Sequence, residues 1–183
     1  MNLPLFLRKA VAAMKETCVV ASPVGRLFIE SDTEGVTAIS FVDDEVAVTS
    51  LEKIQSSILK EALNWLEKYF SGNDPGTFQT IHLVGTPFQM QVWGILCAIP
   101  YGTTMTYGEI AHKISESRGG MPMAAQAVGG AVGKNPVAII VPCHRVIGAK
   151  GKLTGYAAGL DKKIALLKQE GVVLTSDDYI STK

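Results

Sequence analysis

A chain of 183 residues, 47% of them hydrophobic, suits one large domain or two small ones with a substantial core. Its three cysteines, Cys18, Cys97 and Cys143, are odd in number and widely spaced, which argues against a disulfide framework and for a reducing compartment. No stretch is apolar for long enough to span a bilayer, so a cytoplasmic protein with no membrane partner is expected.

The formal net charge is zero, yet the charges are unevenly placed. Residues 1–86 carry seven Lys/Arg against eleven Asp/Glu, and residues 87–183 carry ten against six. A polyanion would be met by the second part. An excess of four charges is by itself a weak signal, since many ordinary domains show as much.

The first nine residues are apolar, but their positive charges follow the apolar ones, which is the wrong order for a signal peptide. Residues 1–13 read as an N-terminal extension. Residues 17–22, 26–31 and 36–42 predict three short strands, with turns at Pro23-Val24-Gly25 and Thr33-Glu34-Gly35. Residues 50–70 predict one amphipathic helix with Leu51, Ile54, Ile58, Ala62, Trp65 and Tyr69 on its apolar face. Gly72-Asn73-Asp74-Pro75-Gly76 ends that helix, and residues 79–84 predict a further strand. Cys18 and His82 fall short of the four ligands of a structural zinc site, so both read as packing or surface residues. Neither a metal nor a cofactor is expected.

The second half reads as mostly helical. Residues 88–98 predict a helix with Val92, Trp93, Leu96 and Cys97 facing a core. Residues 107–115 predict another, with Thr106 as N-cap and Glu109 three residues on, the pattern of a capping box. After a polar, glycine-rich turn, residues 123–133 predict a third, and the pair suggests a helix-turn-helix variant. This third helix holds Ala124, Ala125, Ala127, Gly129, Gly130 and Ala131, although each helical glycine costs about 1 kcal/mol relative to alanine. Close approach to a duplex and tight helix packing both account for that. Gly129 to Lys134 does not make a phosphate loop, because Val128 and Asn135 stand where glycine and Ser/Thr are required.

The apolar run of residues 137–141 reads as a buried extended segment that delivers Val141-Pro142-Cys143-His144-Arg145-Val146 to the surface. The thiolate is the reactive form of cysteine, and neighbouring cations lower a thiol pKa from about 8.5. Pro142 stiffens the backbone just ahead of the sulfur. Free cysteine often only packs, but the order Pro-Cys-His-Arg favours a nucleophile at Cys143.

This motif and its surroundings resemble the O6-alkylguanine-DNA alkyltransferase family, also called methylated-DNA–protein-cysteine methyltransferases. Matching segments are Gly85-Thr86-Pro87-Phe88-Gln89 with Val92-Trp93, Ile99-Pro100-Tyr101-Gly102, Thr106-Tyr107-Gly108, Ala127-Val128-Gly129-Gly130-Ala131, Asn135-Pro136, Gly155-Tyr156 and Glu170-Gly171. The resemblance implies an α+β protein: a small ribonuclease H-like α/β structural domain over residues 1–85, then a mostly helical DNA-binding, alkyl-accepting domain over residues 86–183. It implies double-stranded DNA bearing alkylated guanine as partner, gripped through the minor groove, where sequence is poorly read. A monomer is expected.

The resemblance also implies roles for residues. Cys143 takes the alkyl group from the guanine oxygen, once and irreversibly, after the base is rotated out of the duplex. His144 removes the thiol proton through a water, and Glu170 orients and stabilises the imidazolium. Tyr107 assists flipping and acts as general acid toward the leaving base, and Asn135 braces the turn that holds the sulfur. Tyr156, Ala157 and Ala158 line the pocket, and the carbonyls of Cys143 and Val146 accept the guanine amine. Thr106, Gln126, Ala127, Gly130 and Lys134 lie toward DNA, and Arg145 is either structural or meets phosphate. O4-methylthymine is an expected second substrate.

Two departures from the family pattern matter. Gln126 stands where an arginine is usual, so it fills the gap left by the flipped base with less electrostatic help. Ala158 stands where glycine is usual, so methyl is expected to be preferred over benzyl. Two competing readings share some of these features. A cysteine hydrolase would need a His distant in sequence, for which His82 and His112 are weak candidates. A non-catalytic lesion-binding module would lack the nucleophile.

Overall fold

The computed structural model describes residues 15–176 and 179–180, so the expected extension over residues 1–13 lies outside the described residues. The chain forms two compact units that meet between Val84 and Gly85.

In the first unit, β1 (Glu16–Ser22), β2 (Gly25–Ser31) and β3 (Val36–Val42) form an antiparallel sheet in the order β1-β2-β3. Alternation in β2 buries Leu27, Ile29 and Ser31 on one face. The two-residue loop Pro23-Val24 closes the first hairpin, with Ser22 opposite Gly25. Gly25 has φ 113°, where a side chain would be strained. Helix α1 (Ser57–Phe70) lies against this sheet and buries Leu59, Ala62, Leu66 and Tyr69. A large apolar side chain buried this way contributes about 1.5–3 kcal/mol.

The expected helix over residues 50–70 is interrupted. Leu51–Lys53 make a single 3-10 turn, and α1 begins only after Ser56, whose hydroxyl accepts from the Leu59 amide at 3.2 Å. The Glu16 carboxylate takes the amides of Gln55 and Ser56 at 2.7 and 3.0 Å, so these donors are lost to any continuous helix. Leu51 is accordingly 67% exposed, and the buried stripe runs through Leu59 and Leu66, with Ile58 and Trp65 only half-buried. The strand expected over residues 79–84 shrinks to one parallel bridge between Ile81 and Val36. Cys18 is buried, and His82 Nδ1 lies 2.6 Å from the Asp32 carboxylate.

In the second unit, α2 (Pro87–Cys97) starts from a capping box between Thr86 and Gln89, with Pro87 at the first turn. Val92, Trp93 and Leu96 are buried, but Cys97 is exposed, contrary to expectation. One residue past Leu96 the helix has rotated by about 100°, which carries Cys97 off the core stripe. Strand β4 (Met105–Thr106) pairs in parallel with β5 (Val146–Ile147). Helix α3 (Tyr107–Ser117) carries the expected capping box of Thr106 and Glu109. Helix α4 (Ala125–Val132) is shorter than expected and has no side-chain cap at Ala124. The Trp93 indole donates to the Ala131 carbonyl at 3.0 Å, tying α2 to α4.

Neither helix α5 (Leu160–Gln169) nor the hairpin of β6 (Leu174–Ser176) and β7 (Tyr179–Ile180) is expected from the sequence patterns above. They close a core of Ile147, Leu153, Leu167 and Ile180, with Ile164, Val172 and Leu174 packed against it.

In the first unit, a Cβ on Gly35 would come within 2.7 Å of the backbone at Ile81 and His82. Gly35→Ala is therefore expected to lower stability by about 1–3 kcal/mol, read as a fall in Tm by calorimetry.

Candidate active site

The segment leading to the nucleophile is folded rather than extended. Residues 138–140 turn, and Ile139 has φ 71°, a left-handed conformation unusual for a β-branched residue. The Asn135 side chain holds this turn. Its Oδ1 accepts from the Val137 amide at 3.0 Å, and its Nδ2 donates to the Val141 carbonyl at 2.8 Å and to Cys143 Sγ at 3.0 Å. The apolar run gave a strand signal, but a side-chain amide supplies the hydrogen bonds that a neighbouring strand would otherwise have made.

Cys143–Arg145 form a 3-10 turn in which all three residues are buried. Cys143 is 9% exposed, and burial pushes its thiol pKa up. Hydrogen bonds from Asn135 and Tyr156 and the charge of Lys163 oppose that rise without cancelling it. The expectation that adjacent cations depress this pKa therefore fails, because Arg145 is committed elsewhere and His144 is held neutral. Burial lowers the His144 pKa, and Glu170 only partly restores it.

Glu170 caps the end of α5 and is buried. His144 Nε2 lies 2.7 Å from its Oε1. Arg145 donates through Nε to Oε2 at 2.8 Å and through Nη2 to Oε1 at 2.9 Å, and the Gly102 amide donates to Oε2 at 3.0 Å. Burial alone would raise this carboxyl, but the His144 and Arg145 bonds and charges outweigh it and carry the pKa down to about 2. The remaining Arg145 arm donates from Nη1 to the Ile99 carbonyl at 2.6 Å. All three of these Arg145 bonds go to internal acceptors.

Sequence reasoning missed Lys163. This side chain is fully buried on the same face of α5 as Leu166 and Leu167, and it donates to the carbonyls of Val146 at 2.5 Å and Thr154 at 2.9 Å. A lysine inside an apolar stripe was the available signal. Burial lowers its pKa to about 8, against an upward pull from Cys143. The Val146 carbonyl, expected to accept from guanine, thus already has one donor, although a carbonyl oxygen can accept two.

The remaining expected residues fall in two places. Tyr156 is half-buried, and burial together with the neighbouring Cys143 strongly disfavours its ionisation. Ala157 is exposed and Ala158 half-buried on the same loop. Gln126, Ala127 and Gly130 on α4, with Lys134 just after it, are exposed. Tyr107 is half-buried at the start of α3, and an added Cβ on Gly129 would lie 3.7 Å from its ring. Thr106 is spent on capping α3. Among the described residues, no group of three or more His, Cys, Asp or Glu could hold a metal ion.

Residues 87–172 match the family model for the 6-O-methylguanine DNA methyltransferase DNA-binding domain, and residues 16–83 match that for its ribonuclease-like domain. The chain is 46% identical over 155 residues to the methylated-DNA–protein-cysteine methyltransferase of Methanosarcina acetivorans, spanning 84% of this chain and 96% of that protein. It is 43% identical over 157 residues to the Mycobacterium leprae protein of the same name, spanning 85% and 92%. Among solved structures, Mycobacterium tuberculosis O6-methylguanine methyltransferase superposes with a TM-score of 0.69 at 40% identity, over 86% of this chain and 93% of that one. The Mycobacterium tuberculosis protein OGT in complex with DNA gives 0.70 at 41%, over 85% and 92%. With both domain models matched in order across the described chain, this protein belongs to the 6-O-methylguanine DNA methyltransferase family.

Proposed function

We propose that this chain repairs duplex DNA by moving the alkyl group of O6-alkylguanine onto Cys143, irreversibly and once per molecule. The observation that carries the reading is the buried cluster in which Asn135 bonds the thiol while Glu170, itself held by Arg145, locks the adjacent imidazole.

The protonation states fit a general-base step. A protonated thiol and a neutral His144 are the forms that burial favours, so the nucleophile is generated during reaction instead of being stored as thiolate. His144, with Nε2 engaged by Glu170, takes the thiol proton at Nδ1 through a water. The Glu170 carboxylate stabilises the resulting imidazolium in place of lost solvent. The sulfur then attacks the alkyl carbon, a carbon–sulfur bond forms, and the carbon–oxygen bond to guanine breaks. Tyr107 donates a proton to the departing base, which leaves as guanine. The product is a thioether with no route for expelling thiolate.

A base stacked in a duplex cannot reach the sulfur of a residue that is only 9% exposed, so the nucleotide must be rotated out at a cost of a few kcal/mol. The exposed small residues Ala127 and Gly130 let α4 approach the minor groove closely, and Gln126 fills the gap left behind. O4-methylthymine, whose alkylated oxygen sits on a comparable ring edge, is a second substrate of the same step.

Mixing the protein with an O6-methylguanine duplex should add one CH2 unit to the peptide carrying Cys143, in at most equimolar yield. Cleared lesions in molar excess over protein would end the single-use reading. Cys143→Ala should abolish the mass gain while leaving duplex affinity within about two-fold, because phosphate contacts dominate that affinity. A cysteine hydrolase would instead turn over esters or peptides with no mass gain.

Gln126→Arg should raise affinity for DNA and steepen its salt dependence, by a log–log slope of about 0.9 for one added phosphate contact. Titrations at several salt concentrations read this directly.

Ala158 is half-buried on the pocket loop, where its methyl narrows the space that glycine would leave. Methyl transfer should therefore outpace benzyl transfer, and Ala158→Gly should close that difference in single-turnover rates.

A further inference from the structure

Resting on the transfer reaction proposed above, we propose that the turn at residues 99–102 is a positioning element for His144, acting through Glu170, with Tyr101 as its principal side chain. The turn grips Glu170 and its neighbours at several points. The Gly102 amide donates to the carboxylate itself, and the Ile99 carbonyl accepts from the Arg145 arm that is not on Glu170. The Tyr101 hydroxyl donates to the Gln169 carbonyl at 3.1 Å, one residue before Glu170. Its ring lies 5.7 Å from the Arg145 guanidinium carbon, within cation–π range. Gly102 has φ 69°, and a Cβ there would come within 2.8 Å of the Glu170 carbonyl. Every one of these contacts ends on Glu170, on the residue before it, or on its cationic partner, and none ends on Cys143 or His144.

Four donors therefore fill the two carboxylate oxygens, and the turn controls the direction from which they come. An imidazolium is stabilised by a carboxylate only when the carboxylate is held in line with its N–H. The charged and titratable groups facing the His144–Glu170 pair are Arg145 and Cys143 on the same 3-10 turn, and Lys163 from α5. None of them can replace the turn, because Arg145 itself depends on the Ile99 carbonyl, and Lys163 bonds the carbonyls of Val146 and Thr154.

Tyr101→Phe, which keeps the ring and loses the hydroxyl, tests this, alongside Gly102→Ala and a Thr103→Ala control. Thr103 directly follows the turn and is exposed, and its hydroxyl donates to the Pro100 carbonyl and not to Glu170, Gln169 or Arg145. Single-turnover methyl transfer and iodoacetamide alkylation of Cys143 would be followed against pH, with Tm and duplex affinity measured in parallel. For Tyr101→Phe, the plateau of the transfer rate should fall by about two- to ten-fold, the range of one ordinary hydrogen bond. Its acid limb should move to lower pH, since a loosely held carboxylate stabilises the imidazolium less. Gly102→Ala should do the same more strongly, and Thr103→Ala should leave rate and limb alone. An acid limb that stays put or moves up, or a rate loss matched by loss of folded protein, overturns the inference. If the parent chain itself fails to gain mass from the lesion, the transfer reading fails instead, and iodoacetamide still reports on His144 in that case.

Discussion

The second unit is organised around one carboxylate. Glu170 carries a full negative charge out of water, and such a group persists only where donors replace its hydration. Each of its oxygens receives two, and they arrive from separate stretches of chain: the 3-10 turn of Cys143–Arg145 and the turn at residues 99–102. Helix α5 brings the carboxylate itself. Three segments far apart in sequence are thus forced into one geometry by the cost of leaving that charge unpaired. The nucleophile inherits its place from this arrangement, because it is the residue next to His144 in the same short turn.

Electrostatics around the sulfur follow burial more than neighbouring charge. Beside a histidine and an arginine, Cys143 has every local reason to ionise. Yet the arginine is neutralised by Glu170, the histidine is held uncharged by its own burial, and desolvation raises the thiol. Lys163 is the cation whose field reaches the sulfur, and it too is partly discharged by burial, with a pKa near 8. Charge adjacency in a sequence says which groups are close. It does not say which of them have already been spent on each other.

Legibility in the sequence divides along that same line. The three strands of the first unit and the capped helices of the second were readable because strand alternation and capping boxes are local signals, as in β2 and at Thr106 with Glu109. The single helix expected over residues 50–70 failed because Glu16, some forty positions away, takes the amides at its intended middle. The strand expected before Pro142 failed because Asn135 satisfies that backbone with its side chain. Cys143 was singled out by its Pro-Cys-His-Arg setting, the roles of His144 and Glu170 came through a resemblance and not through periodicity, and the structure brings these three together with Asn135. Lys163 escaped notice, and the segment Ile99-Pro100-Tyr101-Gly102 was matched without a role, because most of their bonds are made by main-chain carbonyls and amides, which leave no trace in residue identity.

Concealment of the sulfur has a consequence for its chemical longevity. Oxidants and disulfides attack thiolate, so a protonated, nearly inaccessible thiol resists peroxide and glutathione far better than an exposed, ionised one. Cys97, out on the surface, meets such reagents first. For a protein that would spend its reactive group in a single event, this amounts to a safety catch, keeping idle copies chemically fresh until a lesion arrives.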